Sequence, residues 1–397
     1  MGMKVYRKFK VLIKFIMLCG VSCLPRRKNV WVFGSWFGLK YADNSKYLFE
    51  YINAEKLAVD VVWITKSKEL NKKLQSQGIK SYYHHSFKGL YYQSIASIVF
   101  VSHSITTDLT SQLISFKTKR FHLYHGLPLK KVGLDRVSNT EKLPEFKTIV
   151  KKLLSNEFYD AIVSTGKKCT DVYSTSLGMP LSNIYETGFP RNDVFNKKVL
   201  VESASLSECF KAIYMPTFRN EPGSELVLLD SFDFLSVNHM LSLNDLRLDL
   251  KLHPVNMPSE DVLSVVEKLT NIDFLFVDDI YDVINDYDCL ITDFSSVMFD
   301  FALSNKPVLF APFHMAEYIK NDRTLNFDYE HVSGGNYFNK WDDVISELLI
   351  LKNMSCSVPN NTLLEFHREL VGNENFSENV FKVACKLIGF SDIHQHE

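Results

Sequence analysis

The chain has 397 residues, 46% of them hydrophobic and 23% charged, which excludes a disordered or collagen-like polypeptide and exceeds what one hydrophobic core usually serves. Its 45 Lys+Arg against 46 Asp+Glu hide a segregation: nine basic residues precede Asp43, the first acidic one, leaving 36 basic against 46 acidic residues in the rest. The acidic body argues against nucleic-acid binding, and outside the leader no apolar run approaches the roughly 20 residues needed to cross a bilayer.

The leader, residues 1–28, joins the apolar run 11–24, interrupted by Lys14, to Pro25-Arg26-Arg27-Lys28. A basic cluster just downstream opposes export, so the pattern predicts an uncleaved helix at the cytoplasmic face of the cell membrane, a peripheral attachment in which cations meet anionic lipid. The other reading is a first helix packed on the protein's own core. Short apolar runs then alternate with helical patterns, as βαβ units require. Strands are expected at 30–33, 59–65, 97–102, 121–125, 161–165 and 184–187, then at 212–216, 246–252, 274–277, 289–292 and 307–310. A linker is placed at 199–209. The expected fold is α/β: two Rossmann-type doubly wound domains, 29–198 and 199–397, facing across a cleft. The seven scattered cysteines form no CxxC pair and read as reduced thiols. No metal and no cofactor is called for.

In doubly wound sheets ligands sit beyond the C-terminal ends of strands, so polar residues just after each strand carry the chemistry. Five clusters meet that rule. His125-Gly126-Leu127-Pro128-Leu129-Lys130-Lys131 places a histidine able to act as general base beside a glycine that admits a ligand. Gly188-Phe189-Pro190-Arg191-Asn192-Asp193 presents Arg191, whose fork suits phosphate. Pro216-Thr217-Phe218-Arg219 offers a hydroxyl and a second guanidinium. Lys251-Leu252-His253-Pro254 ends another strand in a histidine. Thr292-Asp293-Phe294-Ser295-Ser296, leading to Asp300, brings two hydroxyls to a helix start, with Asp293 placed to cap the helix or orient the loop and Asp300 one turn on, facing the same ligand. The cations Arg191, Arg219, Lys130 and Lys251 are expected to converge on one cleft. Asp286-Tyr287-Asp288 lies at the wrong end of its strand for a metal site.

Together with Phe33-Gly34-Ser35 and Tyr41-Ala42-Asp43-Asn44-Ser45-Lys46, these clusters resemble, in order over residues 30–330, the CDP-glycerol glycerophosphotransferase family of teichoic acid and capsule polymer synthesis. The resemblance implies a GT-B-like pair of domains, the second binding the donor. It also implies CDP-glycerol or CDP-ribitol as donor and a lipid-linked saccharide or a growing polyol-phosphate polymer as acceptor. Carried over by residue, it makes His125 the candidate base. It makes His253 the second catalytic residue and Arg191, Pro216, Thr217, Leu252, Ser295, Ser296 and Asp300 substrate-binding, to which the clusters themselves add Gly126, Leu127, Pro128, Leu129, Arg219 and Lys251. Leu127 departs from the family's threonine, one hydroxyl fewer near the donor. The implied chemistry is attack of an acceptor hydroxyl, deprotonated by His125, on the phosphorus bearing the polyol, with CMP leaving and His253, Arg191 and the serine pair holding the charge. A GT-B glycosyltransferase using a nucleotide sugar is the rival; it would release a nucleoside diphosphate.

Overall fold

The computed structural model describes residues 2–133, 157–196, 209–219, 229, 232–253, 256–321, 324–354, 360–367 and 375–391, with side chains from Ile13 onward. The expected linker, apart from Cys209, and Pro254 lie outside the described residues.

Among the described residues twelve strands form two wholly parallel sheets. The first contains β1 (Arg27–Phe33), β2 (Asp60–Thr65), β3 (Ser81–Tyr83), β4 (Ala96–Val101), β5 (Lys119–His122), β6 (Ala161–Ser164) and β7 (Ile184–Glu186), in the order β3-β2-β1-β4-β5-β6-β7. The second contains β8 (Phe210–Tyr214), β9 (Leu246–Leu250), β10 (Ile272–Phe274), β11 (Cys289–Thr292) and β12 (Val308–Phe310), in the order β10-β9-β8-β11-β12. Helices between strands cover both faces, which is why β4 and β11 are buried along their whole lengths. In each sheet the chain runs outward to one edge and returns to the middle, at β1/β4 and at β8/β11. The loops leaving these neighbours diverge and open a crevice.

The strand expectations hold in kind, with shifts at their ends. β5 stops at His122 because the Tyr124 N–H turns back onto His122 Nδ1 (3.0 Å) and Tyr124 adopts a φ of 58°. β9 stops at Leu250, so His125 and His253 both sit in loops beyond their strands, and β10 starts two residues and ends three residues earlier than expected. β3 (Ser81–Tyr83) is not among the expected strands.

One apolar core runs through both sheets. It joins Trp31, Phe33 and Phe100 of the first to Ile213 and Leu290 of the second, by way of Phe195, Tyr281 and Phe301 at the junction. The 198/199 division does not hold for the end of the chain. Helix Phe376–Ile388 returns to the first sheet, burying the stripe Phe376, Val380, Phe381, Ala384 and Cys385, with the Phe381 ring 5.2 Å from Trp31. Asp193, in the loop after β7, accepts the N–H groups of Phe376 (2.7 Å) and Ser377 (3.0 Å) and so caps that helix from a distance.

The leader forms helix Gly2–Cys23. Leu18 is buried, and Ser22 Oγ accepts the Phe116 N–H at 3.1 Å, fastening the helix end to the first unit. Ile13, Phe15, Ile16 and Met17 stay exposed. No helix among the described residues is long and apolar enough to cross a membrane.

Candidate active site

The loops at the C-terminal ends of the two sheets enclose a cavity of about 470 Å³. The first unit supplies Trp36, Phe37, Lys40 and Asp43 after β1, His125 and Lys130 after β5, and Arg191 after β7. The second supplies Met215 to Phe218, Lys251 to His253, Asp278 to Tyr281, Ser295 to Val297, and Tyr318. A smaller adjoining cavity of about 160 Å³ is lined by Gly126, Leu127, Pro128 and Leu129 and shares His125, Lys130 and Ser296 with the first.

His125 Nδ1 donates to the Ser102 carbonyl (3.0 Å), which fixes the tautomer and leaves Nε2 as a proton acceptor. The ring stacks on His103, with centroids 4.3 Å apart and planes 6° apart. Its edge is open to the cavity, but protein surrounds the cavity and the imidazolium would be poorly hydrated there. That desolvation, then His103, holds the ring below the ordinary imidazole range, against an upward pull from Asp43. Gly126 follows at φ 148°, and any side chain there would collide with Ser296 Oγ, so glycine is what lets the two units touch beside the base.

His253 stands on the other wall, half-buried, its ring 4.9 Å from Phe218. Burial, then the charges of Lys251 and Lys40, lower its pKa. Lys130 reaches across to Thr217 Oγ1 (3.3 Å). Ser295 and Ser296 are half-buried on the cavity wall, and Ser296 makes no side-chain capping bond although it precedes helix Val297–Phe301.

Three expectations change. Arg191 lines the cavity, but its Nη1 donates to Asp43 (2.7 Å) and its Nη2 to Asp300 (2.6 Å), and its plane lies over the Tyr281 ring at 4.7 Å. Both forks are occupied, so it braces the junction and is not positioned to grip a phosphate bidentately. Asp300 lies behind it, fully buried, taking Arg191 and the Tyr281 hydroxyl (2.5 Å) on one oxygen. Being off the cavity wall, it cannot face the ligand as its spacing from Ser296 suggested. Arg219 is likewise absent from the wall, because it pairs with Asp293 (2.8 Å), which also accepts the Thr217 N–H (2.7 Å). Asp293 therefore orients the loop, the second of its two expected roles, and ties it to the loop after β8. The other expected residues, Pro216, Thr217, Lys251, Leu252, His253, Ser295 and Ser296, meet on one wall.

Sequence reasoning missed Trp36, Phe37, Lys40, Asp43, Asp279 and Tyr281 as lining residues. The strand-end rule that found His125 points to the first four as well, since they follow β1; their segment lacks the histidine or arginine that drew attention elsewhere.

Two parallel doubly wound sheets with a histidine- and lysine-lined cavity between their strand-end loops place the ligand site where such folds bind their ligands. Residues 16–357 match the family model described as CDP-Glycerol:Poly(glycerophosphate) glycerophosphotransferase, and the chain belongs to that family. It is 27% identical over 365 residues to the teichoic acid poly(glycerol phosphate) polymerase of Bacillus spizizenii, covering 88% of this chain and 90% of that one. It is 28% identical over 352 residues to the teichoic acid glycerol-phosphate transferase of Staphylococcus aureus, covering 82% of each. Among solved structures it is similar in fold to the wall teichoic acid polymerase TagF, with a TM-score of 0.74, 19% identity and 98% of each chain covered.

Proposed function

We propose that this transferase moves glycerol phosphate, or ribitol phosphate, from a CDP-polyol to a hydroxyl of a lipid-linked or growing polyol-phosphate polymer, releasing CMP. The second unit takes the donor and the first presents the acceptor. The observation that carries this reading is His125: an imidazole whose Nδ1 is committed to a backbone carbonyl, whose ring edge is open to the cavity and whose pKa burial holds down. The acceptor O–H gives its proton to Nε2 while its oxygen attacks the phosphorus bearing the polyol. The bond from that phosphorus to the bridging oxygen breaks, and CMP leaves with the electron pair.

His253, Lys251 and Lys130, with the Thr217 and Ser296 hydroxyls, hold the diphosphate charge, where positioning and electrostatics supply most of the acceleration. Arg191 and Asp300 act one step back, by fixing Asp43 and the junction between the units. The leader helix, with Ile13, Phe15, Ile16 and Met17 outward, keeps the enzyme at the cytoplasmic membrane face where a lipid-linked acceptor lies.

Incubation with CDP-glycerol and CDP-ribitol in turn, with membranes as acceptor, tests the reading. Release of CMP is expected. Inertness toward both CDP-polyols, with release of a nucleoside diphosphate from a nucleotide sugar, would hand the site to the glycosyltransferase alternative.

A further inference from the structure

The mechanism leaves one buried charge unused. Asp108 ends the short helix Ile105–Asp108, fully buried and off the cavity wall. A carboxylate is costly to keep out of water unless donors satisfy it, and three backbone N–H groups do so here. Phe37 donates to Oδ1 (2.9 Å), while Ser102 (2.9 Å) and His103 (2.8 Å) donate to Oδ2. Burial pushes the Asp108 pKa up and these bonds pull it back, because N–H donors favour the charged form. The His103 N–H and the Ser102 carbonyl are the two ends of one trans peptide group. That carbonyl is the acceptor of His125 Nδ1 (3.0 Å). The groups therefore run in the order carboxylate, peptide, imidazole, and the far end of the series is Nε2, the proton acceptor.

A charge-assisted bond to the N–H of a peptide pushes electron density onto its carbonyl oxygen, and bonds in such a chain strengthen one another where water is excluded. A more negative Ser102 oxygen holds Nδ1–H more tightly and stabilises the imidazolium. We propose that Asp108 is a positioning residue for the reaction, acting on His125 through the Ser102–His103 peptide to align the ring and strengthen Nε2 as proton acceptor. Burial, His103 and Arg191 lower the His125 pKa, and Asp43 and the Ser102 carbonyl raise it; Asp108 reinforces the last of these. His122 also faces His125, and Lys66 and Tyr159 face Asp108. The inference rests on the role of His125 proposed above.

The test removes the charge and keeps the shape, with Asp108→Asn in the full chain. Heteronuclear NMR of the imidazole signals, without substrate, is expected to show the His125 pKa lowered by up to about one unit. In CMP-release assays the acid limb of kcat/KM should move down with it, while kcat drops by about tenfold at most. A carboxylate that merely held the loop together would give the opposite sign, since a loosened loop admits water, hydrates the imidazolium and raises the pKa. In a His125→Asn background, with no base left to act on, Asp108→Asn is expected to cost nothing further in kcat. A His125 pKa that rises or stays put, or equal losses of kcat with and without His125, would overturn the proposal. Should Asp108→Asn not fold, the wild-type protein decides: titrating His125 is expected to move the His103 amide signal with the same midpoint, and the Ser102 amide signal, which belongs to the preceding peptide, far less. Equal movement of the two amides would overturn the peptide path. Because the NMR readings need no turnover, they stand apart from CMP release, whose absence with both CDP-polyols would instead count against the transfer reaction.

Discussion

The two histidines that face the cavity from opposite units differ in how they are held, and the difference separates their roles. His125 has one nitrogen committed to the Ser102 carbonyl and a second imidazole stacked flat against it, so one tautomer and one ring plane are imposed. His253 rests tilted against the Phe218 ring beside Lys251, in a field of positive charge. A proton acceptor needs a fixed, unprotonated nitrogen; a group that steadies a diphosphate needs positive neighbours more than a fixed tautomer.

That asymmetry is broken most directly at His125. His125→Asn should lower CMP release by about 10³-fold with circular dichroism unchanged, since a positioned base contributes about 10² to 10⁴ in rate. His253→Ala should cost less, about 10²-fold, and mostly in the response to donor concentration. Equal losses in kcat for the two variants would mean that the histidines share one role.

Between these two effects falls the junction that keeps the walls in register. Asp300→Ala leaves the buried Arg191 paired with Asp43 alone and takes the acceptor from its Nη2 and from the Tyr281 hydroxyl; a buried donor left unsatisfied costs about 1 to 3 kcal/mol. The expected signature is a lower midpoint of urea unfolding. A midpoint unchanged in Asp300→Ala, with activity lost, would return Asp300 to the ligand-binding role its spacing suggested.

Much of this site was legible in the sequence because doubly wound sheets concentrate chemistry after their strands. His125, Thr217, His253 and Ser296 were all found that way. What stayed hidden depends on pairing across the chain. Arg191 and Arg219 read as phosphate ligands because guanidinium chemistry is visible in one dimension, whereas Asp43, 148 positions from Arg191, and Asp293, 74 positions from Arg219, are not. The i,i+4 spacing of Ser296 and Asp300 was real, but spacing does not say that Arg191 closes over the carboxylate. Helix Phe376–Ile388 was assigned to the second unit on chain order alone; its apolar stripe marks it as packed, without saying against which sheet.

The smallest expected effect is a displacement of the pH profile, and it carries a sign. His125 must be neutral to accept a proton, and its pKa is held down by desolvation and by His103, so in the free enzyme kcat/KM should fall only below the ordinary imidazole range. His103→Phe keeps an aromatic face against His125 while removing an influence that lowers its pKa. The imidazolium then forms more readily, and the acid limb of kcat/KM should move up, by up to about one unit. Asp43→Asn removes an influence that raises the same pKa, so the limb should move down. Opposite displacements in the two variants would tie the limb to His125, whereas displacement in the same direction would place it on another group, with His253 the first to examine.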